Sequence, residues 1–217
     1  MFTQQFYTAA DITNQICNLF IKEQLFDVVF IIDGEEVPAH QSVLCQRCPV
    51  FKAMLKEQSE FEVQTIVLSG TPVGAFKQLL KFIYTGFVEL DTVNVGSVFD
   101  VLQLARVYGV AKLEQHCVDH LKFICNIDNV VEILNRAVEK SQKALIAHCI
   151  EFAKTRAPEF VGHKSFGELS VEALHHLIND ALVPLSDDDI QELFTTKTEV
   201  VELKDCFELL NHRFDIV

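Results

Sequence analysis

Apolar residues recur at two periods along this chain, and the change of period divides it. Within 9–24, Ile12, Ile16, Leu19 and Phe20 fall at offsets of four, seven and eight, which puts them on one face of a helix. The stretch 26–32 is instead a run of β-branched and aromatic residues. Asp33-Gly34 then supplies two residues that tolerate positive φ, and 35–37 resumes as a second short strand, so a β-hairpin is predicted. A helical pattern over 41–48 meets Pro49, which disfavours helical geometry at Cys48 but suits the first turn of a new helix through Leu55. The segment 65–68 reads as a strand, and Ser69-Gly70-Thr71-Pro72 as a turn and helix start. Phe76, Leu79, Leu80 and Ile83 then return to helical offsets of three, four and seven, with Gly86 where a helix stop belongs. A short strand over 87–90 and helices over 95–108 and 110–125, parted at Gly109, complete this half.

Beyond Asn126 the strand signals cease. Val131, Leu134 and Val138 begin a series of amphipathic helices that continues through 145–155. Ser170, ahead of Val171-Glu172-Ala173-Leu174, and Ser186, three residues before Asp189, are helix-start signals. The expected class is α+β over 8–125, a small mixed sheet with surrounding helices, followed by an all-α module over 126–217.

Composition narrows the function. A 49% apolar content is globular, yet no run approaches the roughly 18 consecutive apolar residues of a membrane span. Residues 1–10 carry no basic group ahead of an apolar core, unlike a secretory signal, so the expected location is intracellular, cytoplasmic or nuclear. Seven cysteines form an odd set without a framework and read as reduced thiols. A net charge of −13 repels a polyphosphate backbone and argues against direct nucleic-acid binding.

Candidate chemistry is sparse. Cys45-Gln46-Arg47-Cys48 has CxxC spacing, but a structural zinc wants four ligands and no matched second pair exists. His116 and His120 stand four apart beside Cys117, without an HExxH motif. Asp187-Asp188-Asp189 lacks the glycine and terminal glutamate of a calcium loop. No G-x-S-x-G, phosphate-binding or dinucleotide fingerprint is present. His40 reads as a structural imidazole. The expectation is a non-enzyme with no metal and no cofactor.

Four segments together carry a resemblance: Phe26-Asp27-Val28, Val37-Pro38-Ala39-His40-Gln41-Ser42-Val43-Leu44, Cys48-Pro49-Val50-Phe51 and Ile83-Tyr84-Thr85-Gly86. In this order and spacing the region 8–125 resembles the BTB/POZ domain. Leu169 to Leu174 and 182–194 resemble the helical BACK domain that follows many BTB domains. The resemblance implies a homodimeric protein-interaction adaptor that recruits an unknown protein target to a cullin-RING ubiquitin ligase, or alternatively a dimeric scaffold with no ligase attached. It places Asp27 near the dimer interface, to which the stripe of Ile12, Ile16, Leu19 and Phe20 is also assigned, while a local backbone-bonding role for Asp27 stays open. It also puts a cullin-facing surface at Met54, Glu57, Phe61, Arg106 and Tyr108. Two departures stand out. Cys48 occupies a helix-capping position where the family commonly has Ser, and the only hydrophobic-x-Glu triplet near the cullin segment is the early Leu55-Lys56-Glu57. No target-binding domain such as Kelch repeats is recognisable within 217 residues.

Overall fold

The computed structural model describes residues 25–55, 63–91 and 93–180, together with Gln15 and Asn18. The chain divides into two compact units, Met1–Cys117 and Val118–Val217.

In the first unit, β1 (Val28–Ile32) and β2 (Glu35–Ala39) form the expected hairpin. Asp33 and Gly34, at φ 51° and 86°, both occupy the left-handed region that a two-residue turn of this hand requires. β1 pairs antiparallel with β2, Phe30 opposite Val37, and parallel with β3 (Gln64–Leu68), Phe30 opposite Ile66. The sheet order is β2-β1-β3. With a side-chain period of two, Val28, Phe30 and Ile32 all point to one face, and all are fully buried. Phe30 lies 5.6 Å from Phe51 and 5.0 Å from Phe76, so an aromatic cluster joins the sheet to the helices behind it.

Those helices are α1 (Gln41–Arg47), α2 (Pro49–Met54), α3 (Val73–Thr85), α4 (Val95–Val107) and α5 (Ala111–Ile124). Pro49 breaks α1 from α2 as its chemistry requires, since Cys48 is extended at φ −138° and ψ 113°. α3 buries Phe76, Leu79, Leu80 and Ile83, and stops at Gly86, left-handed at φ 74°. α4 starts at Asn94, whose side chain accepts the Ser97 N–H at 2.8 Å. The expected strand over 87–90 does not form among the described residues. Val88 and Leu90 are buried, but Thr85 Oγ1 accepts the Phe87 N–H at 3.0 Å and ties the start of the segment to the helix end instead.

The second unit begins inside α5. Its described residues hold α6 (Val130–Glu139), α7 (Lys143–Thr155), α8 (Ala157–Gly162), a 3-10 helix (Lys164–Glu168) and α9 (Val171–Asp180), with no strand among them. Val131 and Leu134 are buried on α6, and Leu145, Cys149 and Ile150 on α7. Ser170 caps α9 as expected, its Oγ accepting the Ala173 N–H at 3.2 Å. Asn135 clamps the approach to that helix. It donates to the Glu168 carbonyl at 2.7 Å and accepts the Ser170 N–H at 2.8 Å. Ser186 and Asp189 lie outside the described residues.

Candidate protein-interaction surface

The start of α1 leaves backbone donors without helical partners, and two side chains from elsewhere in the first unit supply acceptors. Asp27 Oδ1 accepts the Gln41 N–H at 2.7 Å. The Asp27 carbonyl accepts from Gln41 Nε2 at 3.1 Å and from the Gln64 N–H at 3.0 Å, while its own N–H donates to Ala39 at 3.3 Å. One aspartate thus joins all three strands to the first helix. Its placement amid apolar neighbours needs no ion pair.

The His40 N–H donates to Tyr84 Oη at 2.8 Å, and His40 Nδ1 lies 2.8 Å from the same oxygen. One phenol oxygen thus bridges the backbone and the ring of the same residue. His40 is therefore a buried structural histidine, as its sequence context implies. Burial pushes the Tyr84 phenol up to about 12, with Asp27 adding in the same direction and the His40 hydrogen bond opposing both. Arg47 closes the other end of α1 on the last turn of α3, donating to the Ile83 carbonyl at 2.8 Å and the Tyr84 carbonyl at 3.2 Å.

Cys48 makes no side-chain cap at the start of α2. Its thiol turns the other way and donates to the Tyr108 carbonyl at 3.1 Å. The ring of Tyr108 stacks on Phe51 at 4.6 Å, and a Cβ at Gly109 would stand 4.0 Å from Val50. The departure from serine thus exchanges a helix cap for a link between α2 and the end of α4.

This corrects one expected site residue. Tyr108 is 4% exposed and belongs to the core, so it holds the surface from beneath and has no free face for a partner. Met54 lies on the surface at 36% exposure, and Arg106 is exposed in an ion pair with Glu114 at 3.4 Å. Val107, which periodicity did not single out, is 56% exposed on the same final turn of α4. Glu57 and Phe61 fall outside the described residues, as do Ile12, Ile16, Leu19 and Phe20. Leu55 is buried at 4%, so the Leu55-Lys56-Glu57 triplet does not present its apolar member to solvent.

Among the described residues no three metal-ligating side chains converge. Cys45 and Cys48 are free thiols, and burial raises that of Cys45. Cys117 is fully buried and pushed up to about 12, while His116 beside it is exposed. No helix of the described residues is long and apolar enough to cross a membrane.

The described residues of the first unit thus form a small mixed sheet backed by helices, with polar side chains holding the helix ends. Residues 17–124 match the family model of the BTB/POZ domain, and the chain carries a BTB/POZ domain. Among curated proteins it is similar to BTB/POZ domain-containing protein 9 of Drosophila melanogaster, 34% identical over 163 residues, covering 75% of this chain and 23% of that one. It is also similar to Kelch-like protein 24 of Homo sapiens, 29% identical over 172 residues, covering 78% of this chain and 28% of that one. The chain thus spans about a quarter of the length of these relatives. Among solved structures, the BTB domain of human gigaxonin matches at 21% identity and a TM-score of 0.43, over 56% of this chain and 99% of that chain.

Proposed function

We propose that this chain is a non-catalytic, homodimeric adaptor that recruits a protein target to a cullin-RING ubiquitin ligase. The observation that carries this reading is the surface of α2 and the final turn of α4, where Met54 and Val107 expose apolar area on a frame fixed by Tyr108, Phe51 and Cys48. Apolar anchors held rigidly, with a charged rim such as Arg106 and Glu114, are what concentrates binding energy at a protein interface. Glu57 and Phe61 follow α2 in sequence, and the proposed contact includes them. The Kelch-like relative supports the reading. The match to the Drosophila protein spans 163 residues and so runs beyond 17–124, into the helical unit that we read as BACK-like. Dimerisation would use the stripe of Ile12, Ile16, Leu19 and Phe20, together with Asp27. The proposed location is the cell interior, cytoplasmic or nuclear.

One observation favours a second reading, a dimeric scaffold without a ligase. The hydrophobic-x-Glu triplet is early, and its Leu55 is buried.

A binding titration with the N-terminal domain of a cullin separates the two. Met54→Asp, Val107→Asp and Phe61→Ala each remove an anchor, and each hot-spot loss is expected to cost about 2 kcal/mol, near thirtyfold in affinity, with melting unchanged. Tyr108→Ala acts differently: it lowers the melting temperature, because emptying a buried aromatic site costs about 3–5 kcal/mol. No binding by the parent chain supports the ligase-free scaffold, and binding that survives all three surface changes places the site elsewhere.

A further inference from the structure

The two edges of the three-stranded sheet meet solvent differently. β2 carries Pro38, which has no N–H to offer a further strand, and the exposed Glu35 and Glu36. β3, at the opposite edge, has neither device. From Val63 to Phe76 the chain holds no charged side chain at all. Thr65 and Val67 stand exposed on β3, Val67 at 68%, and both are β-branched residues that suit a strand with neighbours on each side.

The ladder with β1 decides which backbone groups of β3 are left over. The parallel register sets Gln64 opposite Val28, and the Gln64 N–H donates to the Asp27 carbonyl at 3.0 Å. In a parallel pair alternate residues turn their backbone groups toward the same neighbour, so Gln64, Ile66 and Leu68 address β1. The N–H and C=O of Thr65 and of Val67 therefore point away from the sheet, and no strand among the described residues receives them.

We propose that this edge binds the β3 edge of a second copy, antiparallel about a two-fold axis at Ile66, making one continuous sheet in the order β2-β1-β3-β3-β1-β2. The choice of occupant follows from the edge itself. The two-fold sets Thr65 opposite the partner's Val67 and Val67 opposite the partner's Thr65, so every outward N–H meets an outward C=O. Ile66, whose backbone groups are already engaged by β1, faces its own copy in the pair that needs no hydrogen bond. Side chains agree with this register. Val29 stands beside Thr65 and Ile31 beside Val67, so pairing continues each row into the partner's Val67 and Ile31, or its Thr65 and Val29. Charge favours the same occupant. Each copy carries a net charge of −13, which sets charged surface against a second copy, whereas this edge brings no like charges face to face. The contact uses none of Ile12, Ile16, Leu19 and Phe20, so it adds to any pairing made through that stripe.

Residue-resolved hydrogen exchange of the full chain over a range of concentrations reads this edge directly. The amides of Gln64, Ile66 and Leu68 are expected to be protected throughout. Those of Thr65 and Val67 should exchange freely in dilute solution and slow by about tenfold or more as concentration rises through the dissociation constant. Val67→Lys puts a charge into the apolar row and should abolish that slowing at Thr65 with melting unchanged. Thr65→Pro removes an outward N–H and no bond to β1, so it should abolish the slowing at Val67 even if the lysine variant folds poorly. Amides that stay fast at every concentration leave the edge open for a strand of a different protein, and overturn the proposal. Amides protected even at the lowest concentration mean that the chain's own residues cover the edge, and overturn it too. So does slowing that survives both substitutions.

Discussion

The Tyr84 hydroxyl accepts the buried His40 amide and lies against the imidazole of the same residue, so removing one oxygen strands a backbone donor. Tyr84→Phe is expected to cost about 1–3 kcal/mol in a denaturant titration at neutral pH, the desolvation penalty of an unmade buried hydrogen bond. The same phenol predicts a pH dependence. Its folded pKa, about 12, lies above the ordinary value of 10.0, so the folded state holds its proton more tightly than the unfolded one. The stability linked to this group is present in full below pH 10.0 and is lost as pH rises toward about 12. Cys117 titrates upward in the same direction, but it does so in parent and variant alike. Stability measured across that window should therefore fall more steeply in the parent than in Tyr84→Phe; equal slopes would contradict the assignment. His40 was legible as structural from its place between strand and helix, whereas its partner was not, because the two stand 44 positions apart and no local pattern links them. Tyr108 was misplaced for a related reason. A position near the end of a helix says little about which side of the chain its ring will find, and here the ring found Phe51.

Helices and strands in this chain begin and end where backbone chemistry compels them to. Gly86 ends α3 in the left-handed region, and a Cβ there would meet nothing within 4 Å, so the cost of a substitution is purely conformational. Gly86→Ala is expected to destabilise the chain by about 1 kcal/mol in thermal or denaturant unfolding. Gly86→Asn should cost less, because asparagine tolerates that region better; an alanine variant as stable as the parent would remove the argument. The Asp33-Gly34 hairpin, the break at Pro49 and the stripe of α3 were all legible, since each follows from local sterics or from one period. The segment 87–90 shows the limit. Val88 and Leu90 are buried, yet a local pattern reports which side chains can face inward and not whether a ladder partner stands alongside. Cys48 was legible as a departure from a serine cap, while its redirection to the Tyr108 carbonyl depends on tertiary packing 60 positions away.

At the scale of the whole molecule, a BTB/POZ domain and a further unit of helices offer surfaces, and an adaptor works by raising one protein's effective concentration near another. Pairing two copies would double every surface that the chain presents, so dimerisation is the step on which the proposed function turns. The residues assigned to it, Ile12, Ile16, Leu19 and Phe20, were found through a helical period that leaves an apolar stripe for a partner to cover. Sedimentation equilibrium of the unmodified chain at micromolar concentration tests this most directly. The expected result is a species of twice the 24.6 kDa chain mass, reduced to monomer or driven to aggregate by combining Ile16→Asp with Phe20→Asp. A parent chain that sediments at 24.6 kDa throughout that range would contradict it.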